Sequence, residues 1–136
     1  MPMQLRVLPD RLAVCRLPAG SPAPEWAAEQ DAGSLRSVTW SPDETSIVCA
    51  ESGVPGDIQA ERGWRALMVV GPLDFSLTGV LAALAQPLAS AGISIFALST
   101  YDTDYLLVRE SALGETIEVL EADGHEVAGD RGAELR

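Results

Sequence analysis

The stretch Trp64–Val108, WRALMVVGPLDFSLTGVLAALAQPLASAGISIFALSTYDTDYLLV, carries the pattern that decides the fold. Arg65–Val70 is an apolar run of strand length that ends at a Gly-Pro pair, which is typical of a strand covered on both faces. Ile93–Leu98 and Tyr105–Arg109 are two further β-rich runs, and a polar turn joins them. Because a helix is predicted after the first run, the stretch predicts the order strand, helix, strand, turn, strand.

The helix is predicted from its boundaries and from leucine spacing. Asp74, Ser76 and Thr78 are candidate N-caps, and Gly92 closes the helix in the left-handed conformation that glycine adopts at the lowest cost. Pro87 removes one backbone hydrogen bond and is expected to bend the helix. The leucines form one stripe at steps of four, three and four: Leu77, Leu81, Leu84 and Leu88. The opposite face is small and uncharged, which favours packing against another surface: Ala82, Ala83, Ala85, Ala89 and Ser90.

The preceding sequence reads as strand, strand, short helix and hairpin. Leu5–Leu8 and Leu12–Leu17 are predicted strands separated by a turn, and Pro24–Gln30 is a predicted short helix. Leu35–Trp40 and Thr45–Ala50 form the clearest hairpin, because the sequence between them places proline at the second position of a type I turn.

The rest of the chain completes an α+β pattern. Asp57–Arg62 is a predicted helical turn ahead of the second half. Leu113–Ala122 is a predicted amphipathic helix, Gly124 ends it, and His125–Val127 is a final strand. A strand, helix, strand, strand order followed by a further helix and strand is the split arrangement of ferredoxin-like sheets.

The composition narrows the possible partners. The 136 residues are 47% hydrophobic, and 20 acidic against 9 basic side chains give a formal charge of −11. Such a chain cannot neutralise phosphates, so nucleic acid is excluded as a partner, and anionic membranes are disfavoured. No apolar run approaches the ~20 residues that span a bilayer, and we expect a cytoplasmic protein. Cys15 and Cys49 lack metal-site spacing and are predicted to be buried strand thiols.

Four segments together carry a family resemblance. They are Val38–Glu44 (VTWSPDE), Ser46–Cys49 (SIVC), Gln86–Ser94 (QPLASAGIS) and Leu98–Tyr105 (LSTYDTDY). With them the chain resembles the ACT domain, a small ligand-binding regulatory module of ββαββα-related topology. The subgroup that it is most similar to comprises bacterial paired-ACT proteins and the cytosolic arginine sensors of animals.

The resemblance covers roughly residues 3–127 and implies an α+β fold of two ACT-like halves, with antiparallel sheets packed against helices. Residues 1–62 would be an N-terminal ACT-like half with a reduced helix. Residues 63–128 would be a C-terminal ACT domain, and residues 129–136 a flexible tail.

The first candidate site is the loop Gly71–Gly79, between strand and helix. The free N–H groups and the positive dipole end of a helix N-terminus suit a carboxylate. The resemblance implies that Asp74 and Gly79 take the positions that receive the carboxylate end of an amino acid. The backbone donors would come from Ser76, Leu77 and Thr78. The alternative is that Asp74 and Thr78 only cap the helix.

The second candidate site is the polar turn Ser99–Asp104. The resemblance implies that Asp104 holds the basic end of the ligand, with Thr100 and Asp102 beside it. The strand before the turn would line the pocket and offer backbone groups to the α-amino end: Ile95, Phe96 and Ala97. An ordinary Asp-rich turn that bonds its own backbone is the alternative. A metal at Asp102 and Asp104 is disfavoured, because third and fourth oxygen ligands are not in view.

One position departs from the arginine-binding pattern. Where the arginine sensors place an acidic residue just before the helix glycine, this chain has Leu77-Thr78-Gly79. One of two anionic groups expected around a guanidinium is therefore missing, and the ligand is predicted only as an amino acid or a similar small zwitterion.

The sequence offers little for catalysis. His125 is the only histidine, and nothing in the pattern pairs it with either cysteine as a nucleophile. We expect a non-catalytic, amino-acid-binding regulatory protein without cofactor or metal. The alternative is a ligand-free ACT-like module for dimerisation or interaction with a regulated partner protein. The alanine-rich helix face favours a homodimer.

Overall fold

The computed structural model of the protein describes residues 2–28, 34–71 and 78–129. Within these residues the strands are β1 (Gln4–Pro18), β2 (Ser37–Trp40), β3 (Glu44–Ala50), β4 (Ala60–Val69), β5 (Phe96–Ser99), β6 (Asp104–Arg109) and β7 (Glu126–Gly129). The α-helices are α1 (Glu25–Ala28), α2 (Val80–Ser90) and α3 (Leu113–Ala122), and short 3-10 helices lie at Glu51–Gly53 and Glu110–Ala112. The mixed composition of helices and strands confirms the predicted α+β class.

The chain divides into two compact units. The C-terminal unit comprises Met1–Pro9 and Arg65–Arg136, and the N-terminal unit comprises Asp10–Trp64. Strands β1 and β4 each run from one unit into the other. The first nine residues thus belong to the C-terminal unit. The division into ACT-like halves at residues 62 and 63 stays a prediction.

The C-terminal unit has a ferredoxin-like sheet with one added strand. Its strand order is β7-β1-β4-β6-β5. β5 and β6 form an antiparallel hairpin that closes with Ser99 opposite Asp104, and β7 runs parallel to β1. Apart from β1, the order is fourth, first, third and second strand of a strand–helix–strand–strand–helix–strand chain, which is the ferredoxin-like arrangement. The N-terminal segment therefore adds β1 between β7 and β4.

The N-terminal unit repeats this order with less helix. Its strands lie in the order β2-β3-β1-β4, and both β2 and β1 pair with β3 antiparallel. The predicted hairpin is confirmed as β2 and β3. Between β3 and β4 a 3-10 turn at Glu51–Gly53 replaces the second helix.

Each unit has its own buried cluster. The C-terminal cluster is rich in large aliphatic side chains from the sheet, α2 and α3: Met3, Leu5, Val7, Leu67, Val69, Val80, Leu84, Leu88, Ile93, Leu106, Val108, Leu113, Ile117, Leu120 and Val127. The N-terminal cluster consists mostly of small side chains: Ala13, Cys15, Ala27, Ile47, Cys49 and Val54. The predicted stripe of α2 is borne out at Leu84 and Leu88, which are fully buried, and at half-buried Leu81; Leu77 lies outside the described residues.

The predicted turn near Pro9 is wrong, since β1 is one continuous strand. The stretch paired with β7 ends at Val7, and the stretch paired with β3 begins at Leu12. Pro9 lies between these two paired stretches. Its missing N–H therefore falls outside the pairing of β1 with β7 and with β3. The predicted helical turn Asp57–Arg62 is also wrong. The Arg16 N–H donates to the Gln59 carbonyl at 3.0 Å, and β4 begins at Ala60, so the second half of the segment is strand.

The predicted strands Ile93–Leu98 and His125–Val127 begin later in the structure, at Phe96 and at Glu126. In both cases a helix end occupies the first predicted residue. The N–H of Ile93 donates to the carbonyl of Leu88 at 2.9 Å, and the N–H of His125 donates to that of Leu120 at 3.0 Å. These bonds close α2 and α3, each after a glycine with positive φ, as in the Schellman motif. The residue after each glycine therefore completes a helix end. β7 also includes Gly129, which was predicted to begin the tail; residues 130–136 lie outside the described residues.

Candidate functional site

The N-terminus of α2 has no side-chain cap. The helix begins after Gly79, which has a φ of 78° and makes no side-chain cap hydrogen bond. The Ala83 N–H donates to the Gly79 carbonyl at 2.8 Å. Thr78, a predicted N-cap, precedes the capping position, so that prediction is wrong. Asp74 and Ser76, the other predicted caps, lie outside the described residues, as does Leu77.

This helix end can receive an anion. The first N–H groups of a helix have no partner inside it and lie at the positive end of its dipole. Thr78 and Gly79 are both exposed, so a ligand carboxylate can approach the described part of this loop from solvent.

The turn between β5 and β6 is ordered by its own hydrogen bonds. The Thr100 N–H donates to the Thr103 carbonyl at 2.8 Å, and the Ser99 hydroxyl donates to Asp104 Oδ1 at 2.6 Å. Asp104 is half-buried, whereas Asp102 is exposed. The turn thus bonds its own backbone, as the alternative interpretation expects, and it also holds the Asp104 carboxylate in a defined position.

Thr103 ties this turn to the strand that leads into the first candidate site. Its buried hydroxyl donates to the carbonyl of Val69. Val69 is the last residue of β4, and the chain runs from there through the loop Gly71–Gly79 to α2. The structure therefore anchors the Asp104 turn at the beginning of the loop that was predicted to bind a carboxylate. The turn Ser99–Asp104 was predicted without a separate role for Thr103, and the residue spacing gives no signal of its anchoring role.

The predicted pocket-lining residues differ in exposure. Ile95 is half-buried and packs on the C-terminal cluster, Phe96 is half-buried, and Ala97 is exposed. The last two begin β5, which is the terminal strand of the sheet order. The segment therefore has one side chain directed to the core and an exposed edge position beside it.

One buried polar side chain, that of Arg65, was not predicted from the sequence. Arg65 was included in the apolar run that predicted β4, yet its side chain is only 5% exposed. Its Nη2 donates to the carbonyl of Leu8 at 3.0 Å, and its Nη1 lies 3.6 Å from Glu110 Oε2. A guanidinium at such depth requires partners of this kind. This contact joins β1, β4 and the start of the 3-10 turn within the C-terminal unit.

The prediction that both cysteines are buried strand thiols is confirmed. Cys15 and Cys49 are buried thiols outside any disulfide, on neighbouring strands of the N-terminal unit. A hydrogen bond from Cys49 lowers the pKa of Cys15; burial opposes this shift and the charge of Arg62 supports it.

His125 belongs to the other unit. Over residues 2–28, 34–71 and 78–129, no three His, Cys, Asp or Glu side chains come together as a metal site. No helix in those ranges has the length and apolarity to span a membrane.

The class of the protein follows from these features. A ferredoxin-like sheet and two helices of ten or more residues define an α+β module. The family model described as an ACT domain matches residues 59–122, and a model described as an N-terminal domain matches residues 10–57. The chain belongs to the ACT domain proteins.

Individual proteins are similar to part or all of the chain. Over 59 residues the chain is 44% identical to a human protein named cytosolic arginine sensor for mTORC1 subunit 1, which is 43% of this chain but only 18% of that relative. The crystal structure of protein Atu0741 from Agrobacterium tumefaciens matches with 35% identity and a TM-score of 0.87, over 96% of this chain and 95% of the other. The aspartate kinase regulatory subunit from Thermus thermophilus matches in fold, with 14% identity, a TM-score of 0.55 and coverage of 88% and 96%.

Proposed function

We propose that the chain is a non-catalytic regulatory protein that binds an amino acid or a similar small zwitterion. The observation that carries this proposal is the hydrogen bond from Thr103 to Val69, because it joins the turn that holds Asp104 to the strand that leads into the α2 loop. The ligand carboxylate would lie at the N-terminus of α2, near Thr78 and Gly79. Its cationic group would lie at Asp104.

The two ends of this site have opposite electrostatic character. A helix N-terminus favours negative charge, and a half-buried carboxylate favours a cation, so the pair selects a molecule that carries both. Ser99 donates to Oδ1 of Asp104, and the proposal assigns Oδ2 to the ligand ammonium or guanidinium. Thr100 and Asp102 would flank the cation, and the backbone at Ile95, Phe96 and Ala97 would accept the α-amino group. Asp74, Ser76 and Leu77 remain proposed members from the loop.

The relatives support a sensing role and leave the amino acid open. A human relative is named as an arginine sensor, but Leu77-Thr78-Gly79 lacks the acidic residue expected for arginine. We propose a cytoplasmic homodimer that acts on a regulated partner protein. The alanine-rich face of α2, on which Ala82 and Ala89 are exposed, would contribute to dimerisation.

A ligand-free interaction module is the second candidate. Tyr101, at the tip of the β5–β6 turn, is 80% exposed, and β5 is a terminal strand of the sheet order. Large exposed aromatic side chains are enriched where proteins meet, and terminal strands can pair with another chain. These features would serve assembly without any small ligand.

A thermal-shift panel of the twenty amino acids separates these functions. A ligand that binds only the folded state raises the melting temperature, and at 100 times its Kd it adds about 2.7 kcal/mol. The informative variant is Asp104→Asn, which keeps an oxygen for Ser99 but removes the charge. We expect it to weaken ligand binding at least tenfold while the unliganded melting temperature stays nearly constant.

The control for this panel is Glu118→Ala, which removes an exposed charge from α3 and should leave ligand binding unchanged. A flat response of the wild-type protein to all twenty amino acids would favour the interaction module. A large loss of unliganded stability in Asp104→Asn would instead make Asp104 a structural residue of the turn.

A further inference from the structure

The ring of His125 is a buried titratable group that the proposed amino-acid site does not use. Its side chain is 2% exposed. The backbone fixes its position, because the His125 N–H donates to the Leu120 carbonyl at 3.0 Å and closes α3, and β7 begins at the next residue, Glu126. The chain therefore holds this side chain at the junction of a helix end and a strand start.

One nitrogen of this ring binds the beginning of the chain. The backbone N–H of Met3 donates to His125 Nδ1 at 3.0 Å, and this hydrogen bond is buried. Because Nδ1 is the acceptor, the neutral ring carries its proton on Nε2. A buried backbone N–H such as that of Met3 needs an acceptor, and the neutral ring supplies it from a position 122 residues further along the sequence.

The Met3 hydrogen bond lies where β1 enters the sheet. The Met3 carbonyl accepts the Glu126 N–H at 2.9 Å, and the Gln4 carbonyl accepts the Val70 N–H at 2.8 Å. Gln4 is also the first residue of β1 that pairs with β7. Val70 directly precedes the loop Gly71–Gly79, so the first residues of β1 connect β7 to the base of this loop.

A second proton on the ring is incompatible with the Met3 hydrogen bond. It binds to Nδ1, and two donors then face each other. The state with the Met3 bond therefore binds one proton fewer than the state without it, so falling pH favours the state without the bond. A solvated imidazole takes up this proton at about pH 6.5, and the transition is expected below that pH.

The charges around the ring attract the second proton. Asp123 Oδ2 lies 3.6 Å from His125 Nε2. Glu126, the next residue, is exposed and accepts a hydrogen bond from the Gln4 side chain at 3.3 Å. Glu121, one turn earlier on α3, is exposed. The residues of α2 that line a cavity together with His125 are uncharged: Ala83, Gln86 and Pro87. The neighbouring carboxylates thus favour a charge that the Met3 bond does not permit.

We propose that His125 is a pH-sensitive latch for the first residues of β1. The neutral ring binds the Met3 N–H and keeps these residues between β7 and β4. When the ring takes up a second proton, the Met3 bond breaks, residues 2–4 leave the sheet, and Val70 loses the Gln4 carbonyl. The loop Gly71–Gly79 then loses one support at its base, so acid weakens the proposed amino-acid site. This consequence rests on the proposed function, whereas the latch itself does not.

The test follows backbone hydrogen exchange of the full chain by NMR at about pH 8 and about pH 5.5, either side of the usual histidine titration. We expect the protection factors of the Val70 and Glu126 amides to fall about tenfold at the lower pH, as one linked proton produces one pH unit below 6.5. The loss should follow protonation of the ring of the only histidine in nitrogen NMR spectra.

The internal control is the Arg16 N–H, which donates to the Gln59 carbonyl at 3.0 Å near the other end of β1. This amide should keep its protection at both pH values. An equal loss at Arg16 would indicate general unfolding and would overturn the latch. A ring that titrates without loss of protection at Val70, or that stays neutral at the lower pH, would overturn it as well.

Substitutions of the ring and of its carboxylate neighbour isolate the latch. His125→Asn keeps an oxygen acceptor near the position of Nδ1 and does not titrate, so Val70 should be equally protected at both pH values. The Asp123 side chain is 55% exposed, so Asp123→Asn is compatible with folding, and it should move the transition to lower pH. Glu118→Gln, which neutralises an exposed charge elsewhere on α3, should leave the transition unchanged. A full pH response in His125→Asn, or equal transitions in Asp123→Asn and Glu118→Gln, would refute the assignment.

Repeating the panel of twenty amino acids at the lower pH tests the consequence for the amino-acid site. A thermal shift seen at about pH 8 should shrink at about pH 5.5 in the wild-type protein and persist in His125→Asn. An undiminished shift in the wild-type protein, with Val70 protection lost, would show that the latch does not act on the site. A panel without response at either pH would contradict the proposed function, while the amide protection factors still decide on the latch.

Discussion

The two compact units use the same strand order but cover their sheets differently. The C-terminal unit packs α2 and α3, of eleven and ten residues, on a cluster of large aliphatic side chains. The N-terminal unit has the four-residue α1 and a cluster that is mostly alanine, cysteine and valine. Both candidate sites, the loop before α2 and the turn Ser99–Asp104, lie in the unit with the full helices, and the first of them requires a helix N-terminus. The same sheet order is therefore not sufficient for a ligand site.

The difference in core size also predicts a difference in stability. Hydrophobic stabilisation rises with the apolar area removed from water, at about 25 cal/mol per Å². Leucine side chains bury more area than alanine or cysteine, so the C-terminal cluster should contribute more of the stability. The N-terminal unit should depend more on its strand pairing.

The largest expected effect comes from the C-terminal core. Leu84 is fully buried in α2, and Leu84→Ala should lower the free energy of unfolding by about 2–5 kcal/mol, since it removes buried apolar area and leaves a cavity. Urea denaturation followed by circular dichroism measures this change. The control is Leu81→Ala, on the same helix but half-buried, which should cost less. Equal losses would show that the α2 stripe does not anchor this core.

An intermediate effect is expected at the start of α2. Gly79 has a φ of 78°, and an added Cβ would meet no atom within 4 Å. Gly79→Ala should therefore destabilise the protein through backbone strain alone, by about 1–2 kcal/mol. Gly56 in the N-terminal unit has equal space and no positive φ, so Gly56→Ala should be neutral or stabilising by up to about 1 kcal/mol. If both variants melt alike, α2 does not need the left-handed residue.

The smallest effect concerns the two thiols of the N-terminal unit. A hydrogen bond from Cys49 lowers the pKa of Cys15, so Cys49→Ala should raise it. Ultraviolet absorbance of the thiolate measures this in a variant with one cysteine left. Because the folded-state pKa lies below the ordinary value of 9.0, the linked stability is present above pH 9.0 and is lost as pH falls through the folded pKa.

The matching control for the thiols is Cys15→Ala, which removes the perturbed group and should abolish this alkaline contribution to stability. A pKa of Cys15 that is unchanged in Cys49→Ala would mean that the neighbouring thiol does not act on it.

Most of the fold prediction came from the spacing of apolar residues. That spacing gave wrong predictions where segments distant in sequence pair with each other. The helix at Leu113–Ala122 was predicted with its correct bounds because its apolar stripe and closing glycine are local signals. The turn at Pro9 and the helical turn at Asp57–Arg62 were wrong because pairing along β1 decides both segments. The resemblance suggested Asp104 as a site residue. The anchoring by Thr103 was not predictable, since its acceptor lies on β4, 34 residues away.

The amino-acid sequence by itself determined the α+β class, the order of strands and helices from β4 to β7, the buried thiols and the segments that carry the ACT resemblance. These follow from side-chain spacing, glycine and proline positions and charge, which are properties of neighbouring residues. Only the tertiary structure decided that β1 is continuous and lies between β7 and β4, that Arg65 is buried against Leu8 and Glu110, and that Thr103 donates to the carbonyl of Val69. Each of these depends on groups that are far apart along the chain, and a linear pattern contains no distance between them.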